Sequence, residues 1–431
     1  MPIYCGVFCQ CNQFKGVIMK LKQIRVDGYK NLIDCVVNLG DFNILVGPNN
    51  SGKSNFLESI QMLYWFCFGD EKMREMAFRG FPMRKYGTSI SHQKKCEEKS
   101  LGIGVTFEVE IKSDIWTVDY DFTVQIGFRR EGRFLKESLR AKPCLRTGVA
   151  TNYISRTDEN LVVESRTGKK EHRIPKDIPA FTAIKTIYPD FTDLPNELKN
   201  FVYDVSAITM TDIFLFSPDN LRESMWKKET FEFSRKSSFN LLTSIDEIHH
   251  DKEKYESFRQ NVCDILNVED FKFVVGEIAV PPKDADRKSA TERILRCFLK
   301  RQGDDYSHLG EYSDGTLVVV AVLAAFFSMQ SIGPIICVEE IENCLHPSAL
   351  KKLLQFLKDH SSEKPVLITT HSPYVLNCVN PEDVNVAIVD ETGATHFEKV
   401  RNTKQLRDYL KSGFMSFGDM LPSNFAEVLG K

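Results

Sequence analysis

The chain has 431 residues, 42% hydrophobic and 27% charged, with a formal net charge of −3, which fits a globular protein of two or three domains, or one large domain carrying an insertion. The near-neutral balance excludes a global basic field that would pull the whole chain onto nucleic acid or anionic lipid, and leaves only a local basic groove open. No apolar run reaches bilayer length: the longest, Leu317 to Phe327, predicts a buried helix, and without a signal-type N-terminus the expectation is a cytoplasmic protein with no membrane partner.

Residues 1–18 lack periodicity and read as a disordered extension, with the fold expected to begin at Met19. Cys5, Cys9 and Cys11 leave a second reading of that tail open, a metal site that would need a fourth ligand. Most of the 12 cysteines sit singly in apolar segments, as Cys35, Cys67, Cys263, Cys297 and Cys337 do, and read as small buried hydrophobes.

Leu21 to Val26 alternates as a strand, Asp27-Gly28 marks a turn, and Cys35 to Leu39 predicts a second strand. Phe42 to Val46 is a short buried strand, followed by a helix over Ser54 to Phe66, with Phe56, Leu57, Ile60, Leu63 and Tyr64 at helical spacing. The basic stretch from 70 to 100 reads as a loop with short helices. From Gly102 to Val163 the pattern is β, closing on a hairpin over Asn152 to Val163. Asp212 to Phe216 is an apolar run ending at Ser217-Pro218. Leu221 to Leu266 reads as helical and includes a charged, solvated stretch from Asp246 to Glu256. Strands return at Phe271 to Ile278 and Arg293 to Lys300.

The last third alternates helix and strand. Gly315 to Met329 predicts a helix, Pro334 to Val338 a buried strand, and Ala349 to His360 a helix with Leu350, Leu353, Leu354 and Leu357 on one face. Pro365 to Thr370 and Val384 to Val389 are further strands. The fold class expected is α/β with a parallel-rich core and a β-rich and helical insertion, without repeats or a long coiled coil. The organisation expected is an extension over 1–18, an N-terminal lobe over 19–100, the β-rich insertion over 101–210, a helical region over 211–300 and a C-terminal lobe over 301–431.

Four motifs carry chemistry. GPNNSGKS, from Gly47 through Asn49, Asn50, Ser51, Gly52 and Lys53 to Ser54, fits the P-loop pattern and follows a strand while opening a helix that continues at Asn55. Its glycines let backbone N–H groups turn inward around phosphates, and the helix N-terminus adds its positive end. Lys53 is expected on the β and γ phosphates of ATP, and the Ser54 hydroxyl on Mg²⁺. ICVEE, Ile336 to Glu340, is a Walker B pattern whose strand is expected beside the P-loop strand; Glu339 would hold Mg²⁺ and Glu340 would polarise the attacking water. ITTHSP places His371 at a strand end, where it can contact the γ-phosphate and report its loss.

YSDGT, Tyr312 to Thr316, opens a helix. By itself it reads as an ordinary N-cap by Ser313 or Asp314. With the P-loop present it reads as a second anion site at Ser313 and Gly315, which a second copy of the chain would bring to its partner's ATP.

The order GPNNSGKS, YSDGTL, ICVEEIENCLHP, ITTHSP resembles ABC-type AAA ATPases of the OLD and RecF-like group, and within it the stand-alone bacterial ATPases without a Toprim nuclease domain. The start MKLKQIRVDGYK at Met19 fits the same group, and the likeness covers residues 19–66 and 305–380. The resemblance implies a P-loop ABC-type ATPase core, ATP and Mg²⁺ as ligands, and a homodimer or higher oligomer in which Ser313 and Gly315 act in trans. It also implies that Glu342, Asn343 and His346 form a dimer-facing loop, and that Glu at position 339 is usual. Val318 stands where many relatives carry Arg, Ile341 replaces the usual Pro, and no Q-loop glutamine is evident. By the resemblance, bacterial relatives of this kind frequently work in anti-phage defence or toxin-type modules, and the expectation here is a switch or motor for a separate effector protein. The alternative is a RecF- or SMC-like repair ATPase acting directly on DNA. A transporter subunit fits poorly with the insertion and the SDGT and THSP forms, and a non-hydrolysing scaffold fits poorly with Lys53, Glu340 and His371 all present.

Overall fold

Strand-forming alternation and helical periodicity divide the chain into sixteen strands and nine α-helices among the described residues. The computed structural model describes residues 19–67, 69, 71–78, 100–111, 113–125, 132–145, 149–206, 221, 241–280, 290–328, 335–343, 345–401, 406, 408 and 416–419. The readings for residues 1–18, for Asp212 to Phe216 and for Ser217-Pro218 lie outside them. In chain order the elements are β1 (Met19–Asp27), β2 (Cys35–Asn38), β3 (Phe42–Val46), α1 (Lys53–Cys67), α2 (Glu71–Phe78), β4 (Ser100–Ile111), β5 (Asp114–Gln125), β6 (Arg133–Pro143), β7 (Thr151–Thr157), β8 (Asn160–Ser165) and β9 (Gly168–Arg173). There follow α3 (Ala180–Ile187), α4 (Asn196–Ser206), α5 (Leu241–His249), α6 (Lys252–Leu266), β10 (Asp270–Val280), β11 (Ala290–Lys300), β12 (Tyr306–His308), α7 (Asp314–Phe327), β13 (Ile336–Val338), α8 (Pro347–Asp359), β14 (Val366–Thr370), α9 (Pro373–Asn377), β15 (Val384–Val389) and β16 (Thr395–Lys399).

The chain forms two compact units, Met1–Leu39 with Met62–Ile208, and Gly40–Gln61 with Thr209–Lys431. The first is built on an eight-stranded sheet in the order β2-β1-β4-β5-β6-β7-β8-β9, antiparallel throughout. Alternation along β5 and most of β4 and β6, broken at Gly104 and at the bulge after Phe134, buries one face of each, as a half-covered antiparallel sheet requires. Gly28 makes the turn after β1: its φ of +85° and the Ser100 carbonyl oxygen, 2.5 Å from where a Cβ would stand, both require glycine.

Charge is buried in this sheet too. Arg156 on β7 and Glu137 on β6 meet at 2.7 Å with both side chains fully buried. Arg156 Nη1 also donates to the Ile178 carbonyl, Nη2 to those of Pro175 and Lys176, and Nε to that of Asp158, so five acceptors meet its five N–H groups. Glu137 accepts further from the Tyr120 hydroxyl at 2.9 Å and from the Ala180 backbone N–H at the start of α3, at 3.0 Å. The pair ties the loop entering α3 to the centre of the sheet.

The second unit holds a five-stranded sheet, β13-β14-β3-β15-β16. Its first four strands run parallel and β16 is antiparallel. Strands β13, β14 and β3 are buried along their whole length, the mark of a parallel sheet covered on both faces. Helix α7 is buried from Leu317 to Phe326, as its unbroken apolar run predicts. Helix α8 presents Leu350, Leu353, Leu354 and Leu357 as a buried stripe, each contributing about 1.5–3 kcal/mol on burial. Asn43, buried in β3, donates from Nδ2 to the Val366 carbonyl of β14 at 3.1 Å and so locks those two strands in register.

Two expectations are corrected here. The Walker B strand β13 does not lie beside the P-loop strand β3: β14 stands between them. The reason is connectivity, since α8 returns β13 to an adjacent parallel strand and β14 then takes the place next to β3. The stretch from Asp246 to Glu256 is not uniformly solvated: Asp246 is buried and accepts from Arg293 Nη2 at 3.0 Å. Only after Ile248 does the chain reach solvent, where Asp251 caps α6 by accepting from the Glu253 and Lys254 N–H groups.

The cysteine readings hold where they can be seen. Cys35, Cys67, Cys297 and Cys337 are buried free thiols and Cys263 is half-buried. Burial pushes the Cys35 and Cys337 thiols up to about 12.

Candidate functional site

The strand register decides where the site lies. Val46 of β3 pairs with Thr370 of β14, and Ile368 of β14 pairs with Val338 of β13, all three strands running the same way. Three loops therefore leave one C-terminal edge of the sheet: Gly47 after β3, Glu339 after β13 and His371 after β14. In open α/β sheets that edge is where ligands sit.

The P-loop is bent by two residues with positive φ, Asn50 at 66° and Gly52 at 89°. Asn tolerates the left-handed region and glycine carries no penalty there. Gly47 is required for a different reason: a Cβ would stand 2.7 Å from Ser51 Oγ and 2.9 Å from the Ala387 Cβ. The loop is also held from β16, where the Thr395 hydroxyl donates to the Ser51 carbonyl at 3.1 Å. Lys53 opens α1 and folds back over the loop, donating from Nζ to the Gly47 carbonyl at 2.8 Å and the Pro48 carbonyl at 2.9 Å. Burial lowers the Lys53 pKa, while Glu340, Glu342 and Glu339 pull it back up. Those pulls show that the carboxylates after β13 lie within electrostatic reach of the P-loop lysine.

Ser54 stands close enough to Glu339 to act on its carboxyl. Burial raises the Glu339 pKa, the Ser54 hydroxyl opposes that, and the neighbouring Glu340 and Glu58 raise it again. A hydroxyl and a carboxylate are hard oxygen donors suited to Mg²⁺, and within the loop the buried Ser51 Oγ has no hydrogen-bond partner. The residues present fit a nucleotide phosphate with its magnesium.

Glu340 stands in a strained backbone, φ 46°, of a kind that collects at functional positions. Its N–H donates to Thr369 Oγ1 at 3.0 Å, and its carboxylate accepts from Asn343 Nδ2 at 2.7 Å. His371 is half-exposed, with Nδ1 3.7 Å from Glu340 Oε1 and 3.3 Å from Glu342 Oε1. Lys53, Ser54, Glu339, Glu340 and His371 thus gather at one edge.

The signature turn keeps to itself. Ser313 holds the N-cap position of α7, but its side chain caps no backbone N–H; its hydroxyl pairs with Thr316 Oγ1 at 3.1 Å. Gly315 is buried in the first turn of the helix. His346 caps α8, its Nδ1 accepting from the Ser348 N–H at 3.3 Å.

Reading along the chain missed four contributors: Thr369, Thr395, Glu58 and the contact of Glu342 with His371. Glu58 alone left a signal, since it lies four residues after Ser54 on α1 and so on the same helix face.

A family model described as "AAA domain, putative AbiEii toxin, Type IV TA system" matches residues 117–377, more than half of the chain. The chain belongs to this AAA domain family. The matched span contains the signature turn, the Walker B carboxylates and His371, while the loop from Gly47 to Ser54 precedes it. The fold is accordingly an α/β P-loop ATPase fold with a β-rich insertion. Among solved structures, an SMC head domain from Thermotoga maritima is 14% identical, with a TM-score of 0.40, covering 89% of this chain and 99% of its own. An Smc head domain with an extended coiled coil, bound to the C-terminal domain of ScpA derived from Pyrococcus furiosus, is also 14% identical, with a TM-score of 0.46, covering 92% of this chain and 100% of its own. No curated protein matches the chain. Among the described residues, no helix is long and apolar enough to cross a membrane.

Proposed function

We propose that the chain hydrolyses ATP with Mg²⁺ at the edge formed by β3, β13 and β14, and that it does so as a dimer that switches a separate effector protein. The observation that carries this reading is Lys53 folded into the P-loop, on the same sheet edge where Glu339 and Glu340 follow β13 and His371 follows β14. Ser54 and Glu339 would hold Mg²⁺, which offsets phosphate charge when bound. Lys53 binds the β and γ phosphates, the backbone N–H groups from Asn49 to Asn55 cradle them, Glu340 orients the attacking water, and His371 faces the γ-phosphate.

Dimerisation is supported by the signature turn. Ser313 is exposed at the start of a buried helix, and its hydroxyl is committed only to a neighbouring side chain. A helix start of that kind suits an anion presented by a second copy. The family description, with its toxin and Type IV TA terms, supports a role in a toxin or defence module.

Purified protein tests the reading. Wild type should turn over ATP in Mg²⁺ and lose turnover in EDTA. Glu340→Gln should bind ATP, accumulate as a dimer on size exclusion with light scattering, and hydrolyse none. Lys53→Ala should lose both binding and turnover. Unchanged hydrolysis by Glu340→Gln would remove Glu340 from catalysis, and co-purifying nucleic acid in place of protein would favour direct action on DNA.

A further inference from the structure

We propose that Glu342 is a positioning residue: within the same chain it holds His371 in one orientation and one tautomer, committing Nδ1 to the protein and leaving Nε2 for the nucleotide or its water. The proposal rests on the reading of His371 as part of the ATP site. It assigns Glu342 a role in cis, where the resemblance implied a dimer-facing one.

After β13 the chain turns at Glu340, and the Asn343 N–H closes the turn on the Glu340 carbonyl at 2.9 Å. Ile341 is 1% exposed and plugs the turn into the core. The residues on either side of that anchor, Glu340 and Glu342, both reach His371. Glu342 Oε1 accepts from the His371 backbone N–H at 3.0 Å and lies 3.3 Å from its Nδ1. One oxygen thus fixes the residue where β14 ends and also stands at ion-pair distance from one ring nitrogen, without a hydrogen bond to it. Negative charge there favours the proton on Nδ1 electrostatically, and what stands beside one ring nitrogen sets the tautomer of the whole ring.

Three observations set Glu342 apart from an ordinary surface acid. Its side chain is 11% exposed. Its Oε2 is buried with no hydrogen-bond partner, so the carboxylate is not a saturated structural link. Its charge also acts on Lys53, raising that pKa. Asn343 meanwhile occupies Glu340 Oε2 at 2.7 Å, which leaves Glu342 with the shortest contacts to His371.

The test uses the full chain with ¹⁵N-histidine labelling, the His371 signal assigned by its loss in His371→Ala. In wild type the His371 ring should carry its proton on Nδ1. Glu342→Ala should move it towards the Nε2-protonated form, and Glu342→Gln, which keeps a carbonyl acceptor for the backbone N–H, should fall between. In ATP turnover, Glu342→Ala should lower kcat about 10–100-fold, the size of losing a group that orients another, with KM nearly unchanged. Glu342→Gln should recover part of that loss. Adding Glu342→Ala to His371→Ala should cost nothing further, because one residue acts through the other.

An unchanged tautomer in Glu342→Ala overturns the proposal, as do independent, multiplying losses in the double variant. If wild type shows no turnover, the ATPase reading fails by itself, and the tautomer still decides whether Glu342 sets His371.

Discussion

Both units bury charge, and they treat it in opposite ways. Around Arg156 and Glu137 every guanidinium N–H has an acceptor, and the carboxylate is met by a guanidinium, a hydroxyl and a backbone N–H. Around Lys53 and Glu339 the site is unsaturated: Ser51 Oγ and Glu342 Oε2 are buried without partners, and Glu340 is held at φ 46°. A saturated network specifies a packing arrangement, because any partner left alone would face the desolvation penalty. An unsaturated one keeps acceptors and donors ready for a ligand, and the strain in Glu340 is offset by bonds to Thr369 and Asn343.

That contrast predicts substitution effects of different kinds. The largest should come from Lys53→Ala, which removes the cation of the proposed ATP site: turnover should fall by about 10²–10³-fold or more, the scale of losing one preorganised electrostatic group, while the urea midpoint barely moves. Next is Arg156→Ala, which strands the buried Glu137 carboxylate. Denaturant unfolding should show a loss of about 3–5 kcal/mol, with ATP turnover per folded molecule unchanged. If Arg156→Ala abolished turnover in protein that is still folded, the division between a structural and a chemical cluster would be wrong.

A smaller effect is expected of Gly47→Ala. The new methyl would press on Ser51 Oγ and on Ala387, so nucleotide affinity should fall about tenfold, or about 1.4 kcal/mol, with the circular dichroism spectrum preserved. The mildest test uses thiols. Cys144 is exposed, whereas Cys35 and Cys337 are buried and pushed up to about 12. A thiol reagent at neutral pH should modify Cys144 in the native protein without loss of turnover, and reach the other two only on unfolding.

Much of the core could be read along the chain. The strand β3 and the helices α1 and α8 follow from short apolar patterns next to a glycine-rich loop or a Pro-led helix start, and such signals are local. Ser54, Glu339 and His371 were legible because each sits where a buried apolar strand or loop ends in a polar residue. The elements β9, β12 and β16 were not, since GKKEHR, YSH and THFEK carry little apolar content and become strands only by pairing with a neighbour.

By itself, then, the sequence determined the element types near the site and the residues that gather at its edge. It left open the neighbours of each strand. That β14 separates β13 from β3, that β1 and β2 join the sheet of β4 to β9, and that Asp246 is buried against Arg293 were decided only in three dimensions. The contact of Glu342 with His371 belongs with them. The physical reason is the same in each case: strand order, the burial of a charge and the choice of a ring nitrogen depend on partners far away in the chain, and no local pattern of side chains encodes those partners.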